Sequence, residues 1–146
     1  MADTDKKHVI WADDDANLSR MMTDSFKMMC EQASLDVVVD VVPNGSELVA
    51  GVRRNGYCLA ITDYRMPIMT GIDAIKAIRS ENPVIPVYLI SMDDHLGKAS
   101  KEAGATGYFL KENFFVEVPD LIERHLVSGL RHNYMTELLA KLTKKP

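Results

Sequence analysis

Five short apolar runs, separated by stretches of helical character, constrain this chain more than any other feature of its sequence. They cover residues 8–12, 35–42, 59–62, 87–90 and 108–110. Between them, residues 17–33, 46–54, 72–81 and 96–103 read as helices; Leu18, Met21, Met22, Phe26 and Met29 mark the helical period of the first. A last helix is expected from Pro119, whose missing N–H suits a first turn, to about Leu142. Pro43-Asn44-Gly45, Asn55-Gly56 and Gly104 punctuate the pattern. Strands this short and this apolar are buried on both faces, which is the condition of a parallel sheet covered by helices. Right-handed crossovers then join them. The expected fold is α/β: a doubly wound, five-stranded parallel sheet in a three-layer α/β/α arrangement.

The chain of 146 residues is enough for one domain with a usable core. Its 47% apolar and 26% charged residues exclude a largely disordered chain. Seventeen basic against twenty-one acidic side chains leave a charge of −4, and no dense Lys/Arg block is present, so direct nucleic-acid binding is not expected. No apolar run approaches the roughly 20 residues that span a bilayer. The polar start, Met1 to Lys7, lacks the apolar region of a signal peptide, and Cys30 and Cys58 form no CxxC pair; a reducing cytoplasm is the expected setting. Residues 1–7 read as a tail, 8–130 as the domain and 131–146 as an extension of the last helix without an output domain. In that helix Leu126, Leu130, Tyr134, Leu138 and Leu142 recur every fourth residue. The stripe is expected to lie back on the domain or to meet a partner or second copy, as in a homodimer through the last helix, with Ser128-Gly129 as a kink.

The groups that end the apolar runs carry the chemistry. Asp13-Asp14-Asp15 follows the first run, Asp63 the third, Ser91 the fourth and Lys111 the fifth. Parallel strands point the same way, so these side chains collect at one edge, where open α/β sheets bind ligands. Singly, each has an ordinary explanation: an aspartate caps a helix, Asp63 sits in a turn, Ser91 caps the next turn, Lys111 is a solvated charge. Asp13-x-Asp15-x-Asn17 also imitates a calcium loop, but Leu18 stands where that loop needs Gly and Asp24 where it needs Glu. Together they make a pocket. Asp13, Asp14 and Asp63 carry −3, Lys111 returns +1, and a divalent cation completes the balance. Oxygen ligands with room for water suit Mg²⁺, or Mn²⁺, over Zn²⁺. A hydrated Mg²⁺ beside a free carboxylate, a hydroxyl and an ammonium makes a phosphoryl-binding site. In-line attack by the carboxylate there yields an aspartyl phosphate.

These residues resemble the receiver domain of bacterial two-component response regulators, over about residues 8 to 130. The resemblance rests on Val9-Ile-Trp-Ala-Asp-Asp-Asp15, on Ile61-Thr-Asp-Tyr-Arg-Met-Pro-Ile-Met-Thr-Gly71, on Ile90-Ser91 and on Gly104-Ala-Thr-Gly-Tyr-Phe-Leu-Lys111. It implies a flavodoxin-like sheet of order 2-1-3-4-5. It implies that Asp63 is the phosphoacceptor, assisted by Lys111 and Ser91. Asp14, Asp63 and the Arg65 main-chain carbonyl would hold Mg²⁺, and Asp13 would act through water or orient Lys111. Ser91 and Tyr108 would form the switch. The implied partners are a sensor histidine kinase or a histidine phosphotransfer protein, met on the first helix, and a downstream protein not identified by the sequence. The role is that of a phosphoacceptor and not of a turnover enzyme. A receiver-like module working without phosphorylation is the alternative; an aspartate-nucleophile phosphatase is a weaker one, since Asn17 is not its expected Thr or Val.

Three departures stand out. Glu112 replaces the family's cis proline; without proline a cis bond costs about 2.5–4 kcal/mol, so a trans bond or a rearranged loop is expected. Met92 stands where small residues are common. Arg65 and Asp93 flank the pocket mouth and are expected to pair across it. With Met92 they read either as a rim that restricts attacking water or as ordinary surface side chains. The methionines of the first helix, Met21, Met22, Met28 and Met29, read as core filling, with Met28 available for docking if exposed. Trp11 reads as packing, and the histidines as too scattered for a metal site.

Overall fold

The computed structural model describes residues 6–54 and 56–127. The kink at Ser128-Gly129, the stripe beyond Val127, the 131–146 extension and a dimer built on it lie outside the described residues. The elements alternate: β1 (Lys7–Ala12), α1 (Ala16–Gln32), β2 (Val37–Val42), α2 (Gly45–Arg53), β3 (Leu59–Asp63), α3 (Gly71–Glu81), β4 (Val87–Ser91), α4 (Gly97–Ala103), β5 (Gly107–Leu110) and α5 (Phe114–His125). The sheet order is β2-β1-β3-β4-β5, all parallel, as expected.

Burial follows position in the sheet. β3 and β4 are buried at every residue, which is why their sequences are nearly all apolar. β2 is an edge strand, and Asp40 and Val41 reach solvent. Strand side chains alternate between the two layers. Ile10, Ala60 and Leu89 face α2, α3 and α4, in an aliphatic core with Leu48, Ile75 and Ile78. Val9, Trp11, Ile61 and Ile90 face α1 and α5, in a core with Phe26, Phe109 and Phe114. Trp11 is fully buried, edge-on to Phe26 with ring centroids 5.6 Å apart. Side chains begin three helices: Asp15 accepts from the Leu18 N–H, Asn44 from Glu47 and Thr70 from Asp73.

The last helix corrects the sequence expectation at its start. It begins at Phe114, five positions before Pro119, after a 3₁₀ turn over Lys111–Asn113. Pro119 sits inside it and withholds one hydrogen bond from the Phe115 carbonyl. The apolar stripe outweighs that loss: Phe114, Val118, Leu121 and Ile122 are all buried, each worth roughly 1.5–3 kcal/mol. Among the described residues the helix runs to His125, and the expected continuation to about Leu142 lies outside them. The methionines of α1 divide: Met22 is buried, whereas Met21 and Met28 are exposed. Among the described residues no helix is long and apolar enough to cross a membrane.

Candidate functional site

Strand register assembles the site. Ala12 pairs with Thr62, so Asp13 and Asp63 leave neighbouring strands side by side. Asp63 pairs with Ile90 and Ser91 with Leu110, which brings Ser91 and Lys111 to the same edge. Carboxylate oxygens of Asp13, Asp14 and Asp63 lie within 4.8 Å of one another. Lys111 Nζ sits 3.3 Å from Asp63 Oδ2 and 3.6 Å from Asp13 Oδ2. Asp15 turns away to cap α1, so the capping explanation belongs to it and not to its neighbours.

This cluster is electrostatically costly. Burial pushes the Asp13 carboxyl above its usual range, against the pull of the Asp15 N–H and Lys111. Burial raises Asp63 too; Asp13 adds to the rise and Lys111 opposes it. One lysine among three carboxylates leaves an excess of negative charge. Asp13 Oδ2 is buried with no hydrogen-bond partner and is met only by the Lys111 ammonium at 3.6 Å. An all-oxygen donor set, converging within one ion's reach and carrying an oxygen with no hydrogen bond, fits a hard divalent cation.

The loop after β3 fixes Asp63 and is itself strained at Ile68. Asp63 Oδ1 accepts from the Tyr64 N–H at 2.9 Å, and the Gly71 N–H returns to the Tyr64 carbonyl at 2.9 Å. The Met69 N–H bonds the Pro67 carbonyl at 2.7 Å across Ile68, whose φ is +72°. A β-branched residue in this tight turn stores about 1–3 kcal/mol. Gly71 makes the return possible, since a Cβ there would fall 2.1 Å from the Asp63 carbonyl oxygen. Sequence reasoning saw Gly71 only as a loop residue; its spacing eight residues after Asp63 was the available signal.

The remaining residues line the mouth. Ser91 is buried and its Oγ accepts from the Asp93 N–H at 3.1 Å. Arg65 Nε lies 3.1 Å from Asp93 Oδ2, across the mouth. Tyr108 donates its hydroxyl to the Asp93 carbonyl. Met92 is 77% exposed and lines a groove of about 350 Å³ with Leu18, Met21, Met22, Phe114 and Phe115, beside Lys111. Phe114 and Phe115 went unremarked in the sequence because the last helix was expected to begin after them. The spacing of Phe114, Val118, Leu121 and Ile122 carried the signal. No peptide bond among the described residues is cis, and the turn after Lys111 accommodates Glu112.

Comparison with known proteins agrees with this geometry. A family model described as the response regulator receiver domain matches residues 9–123. The probable transcriptional regulatory protein TcrX of Mycobacterium tuberculosis is 30% identical over 119 residues, covering 80% of this chain and 48% of that protein. A protein-glutamate methylesterase/protein-glutamine glutaminase of Idiomarina loihiensis is 33% identical over 108 residues, covering 71% of this chain and 27% of the other. The chain thus spans about half or less of the length of these relatives. Among solved structures, the response regulator TrrA of Thermotoga maritima, in complex with Mg²⁺ and BeF, superposes with a TM-score of 0.72 at 21% identity. That match covers 83% of this chain and 99% of TrrA, and shows the fold alone.

Proposed function

Because the chain belongs to the response regulator receiver domain family, we propose that it accepts a phosphoryl group on Asp63 from the phosphohistidine of a sensor kinase or histidine phosphotransfer protein. The observation that supports this most is Asp63 itself: a carboxylate buried at the end of β3, 3.3 Å from Lys111 Nζ and grouped with Asp13 and Asp14. In the transfer an Asp63 carboxylate oxygen forms the new P–O bond as the P–N bond breaks, and the electron pair returns to the donor's imidazole. Lys111 neutralises a phosphoryl oxygen, and the Ser91 hydroxyl donates to another. Asp14, Asp63 and the Arg65 carbonyl would hold Mg²⁺, with Asp13 acting through water, and that ion would supply the remaining neutralising charge. Burial keeps bulk water from the acyl phosphate. Arg65, Asp93 and Met92 stand at the mouth and slow the hydrolysing water.

The donor docks on the groove between α1 and α5, which opens beside Lys111 and is rimmed by exposed Met21, Met92 and Phe115. The product signals to a downstream protein by a change of surface around α4, β5 and α5. The chain is a phosphoacceptor and not an enzyme of substrate turnover.

Incubation with a small phosphodonor and Mg²⁺ tests the reading. One acid-stable, base-labile phosphoryl group per chain is expected, and none in Asp63→Asn. Labelling that persists in Asp63→Asn, or none in the wild type, contradicts it. Phe115→Asp is expected to slow transfer from a protein donor while leaving uptake from the small donor unchanged.

A further inference from the structure

Asp93 touches three parts of the site through three different groups. Its carboxylate pairs with Arg65, on the loop that follows Asp63. Its N–H donates to Ser91 Oγ. Its carbonyl accepts the Tyr108 hydroxyl. The middle of the segment is open to solvent. No side chain caps the following helix α4, and Asp94 and His95 are exposed. Leu96, 5% exposed, anchors the far end. Gly97 lies beside the Tyr108 ring, where a Cβ would make an ordinary contact at 3.8 Å. The chain between Ser91 and Leu96 is therefore held at its near end by the three bonds of Asp93 and at its far end by Leu96, which is buried and whose main chain also bonds the Tyr108 hydroxyl.

We propose that Asp93 is a positioning residue: its ion pair with Arg65 sets its main chain, and through that main chain it places the Ser91 hydroxyl and the Tyr108 ring. The side chain of Asp93 is 22% exposed and that of Arg65 is 77% exposed, so the pair is a modest restraint, matched to a switch that has to open. Arg65 and Tyr108 are coupled although they bond opposite ends of one residue. The inference deepens the phosphoacceptor reading and rests on it for one step: a phosphoryl group on Asp63 that draws Ser91 Oγ pulls against the Asp93 N–H. That pull passes to Tyr108 and is resisted by Arg65.

The test uses the full chain with ¹³C-labelled tyrosine rings, the Tyr108 resonance being assigned through Tyr108→Phe. In unphosphorylated protein, Arg65→Ala and Asp93→Ala are expected to shift that resonance in the same direction. Arg65→Lys is expected to restore most of the wild-type position, and high salt to move the wild type towards Arg65→Ala. A Tyr108 resonance unmoved by Arg65→Ala overturns the proposal. The second arm measures the rate of uptake from a small phosphodonor in Arg65→Ala, Tyr108→Phe and the double variant. Each single change is expected to alter the rate by about twofold to fivefold, the range of a partly exposed ion pair, and the double change by less than their product. Effects that multiply independently overturn the coupling. If Asp63 takes up no phosphoryl group at all, the phosphoacceptor reading fails, while the resonance arm still decides the role of Asp93.

Discussion

The two helix layers and the carboxyl edge of the sheet are built on opposite terms. In the layers, apolar side chains from every strand meet complementary helices, and side-chain caps satisfy the starts of α1, α2 and α3. At the edge, two buried carboxyls are held above their usual range, one carboxylate oxygen has no hydrogen-bond partner, and Ile68 occupies a left-handed backbone. The layers supply stability and the edge consumes some of it. Strain and like charge persist at the edge only because the sheet over-determines where Asp13, Asp63 and Ser91 emerge.

Substitutions separate the two regions by sign. The largest effect is expected in the aliphatic layer. Ile75 is fully buried, so Ile75→Ala should lower unfolding free energy by about 2–5 kcal/mol in denaturant titration while the folded fraction still takes up phosphoryl groups. Gly71→Ala should cost about 1–3 kcal/mol, and there, unlike at Ile75, uptake should also fail, because the Asp63 carbonyl has to move. Asp63→Asn is expected to raise stability at neutral pH by on the order of 1 kcal/mol. The sign follows from the raised carboxyl: its stabilising contribution is full at acid pH and is lost as pH rises through the raised value. The advantage of Asp63→Asn over the wild type should therefore shrink as pH falls through that value, and disappear below the ordinary aspartate range. An advantage that grows on acidification would contradict the assigned burial. Smallest of all, Ile68→Asn should gain up to about 1 kcal/mol by suiting the left-handed turn, read as a small rise in melting temperature.

The same division governs what could be read in the sequence. Strands β3 and β4 were legible because burial on both faces leaves apolar residues at every position, and a chemical group marks where each stops. Asp13, Asp63, Ser91 and Lys111 were placed at one edge by topology alone, since parallel strands allow no other outcome. The start of α5 was misread because Pro119 is a strong local signal, whereas the reason for starting at Phe114 is tertiary: Phe114 packs against Trp11, 6.3 Å between centroids. The work of Gly71 was hidden because a close backbone approach leaves no mark on the sequence except the glycine itself. Of the three bonds of Asp93, the pair with Arg65 was legible in the sequence and the other two were not. Those two use its main chain, which is indifferent to residue type.

A thermal titration with Mg²⁺ tests most directly whether the carboxyl edge is a cation site. Wild-type protein should gain stability steadily with Mg²⁺ concentration, following its logarithm once the site fills. Asp13→Asn, Asp14→Asn and Asp63→Asn should each weaken or abolish that gain, despite a higher starting melting temperature in Asp13→Asn and Asp63→Asn. An equal Mg²⁺-dependent gain in all four proteins would show that the three carboxylates do not share an ion, and would contradict the account.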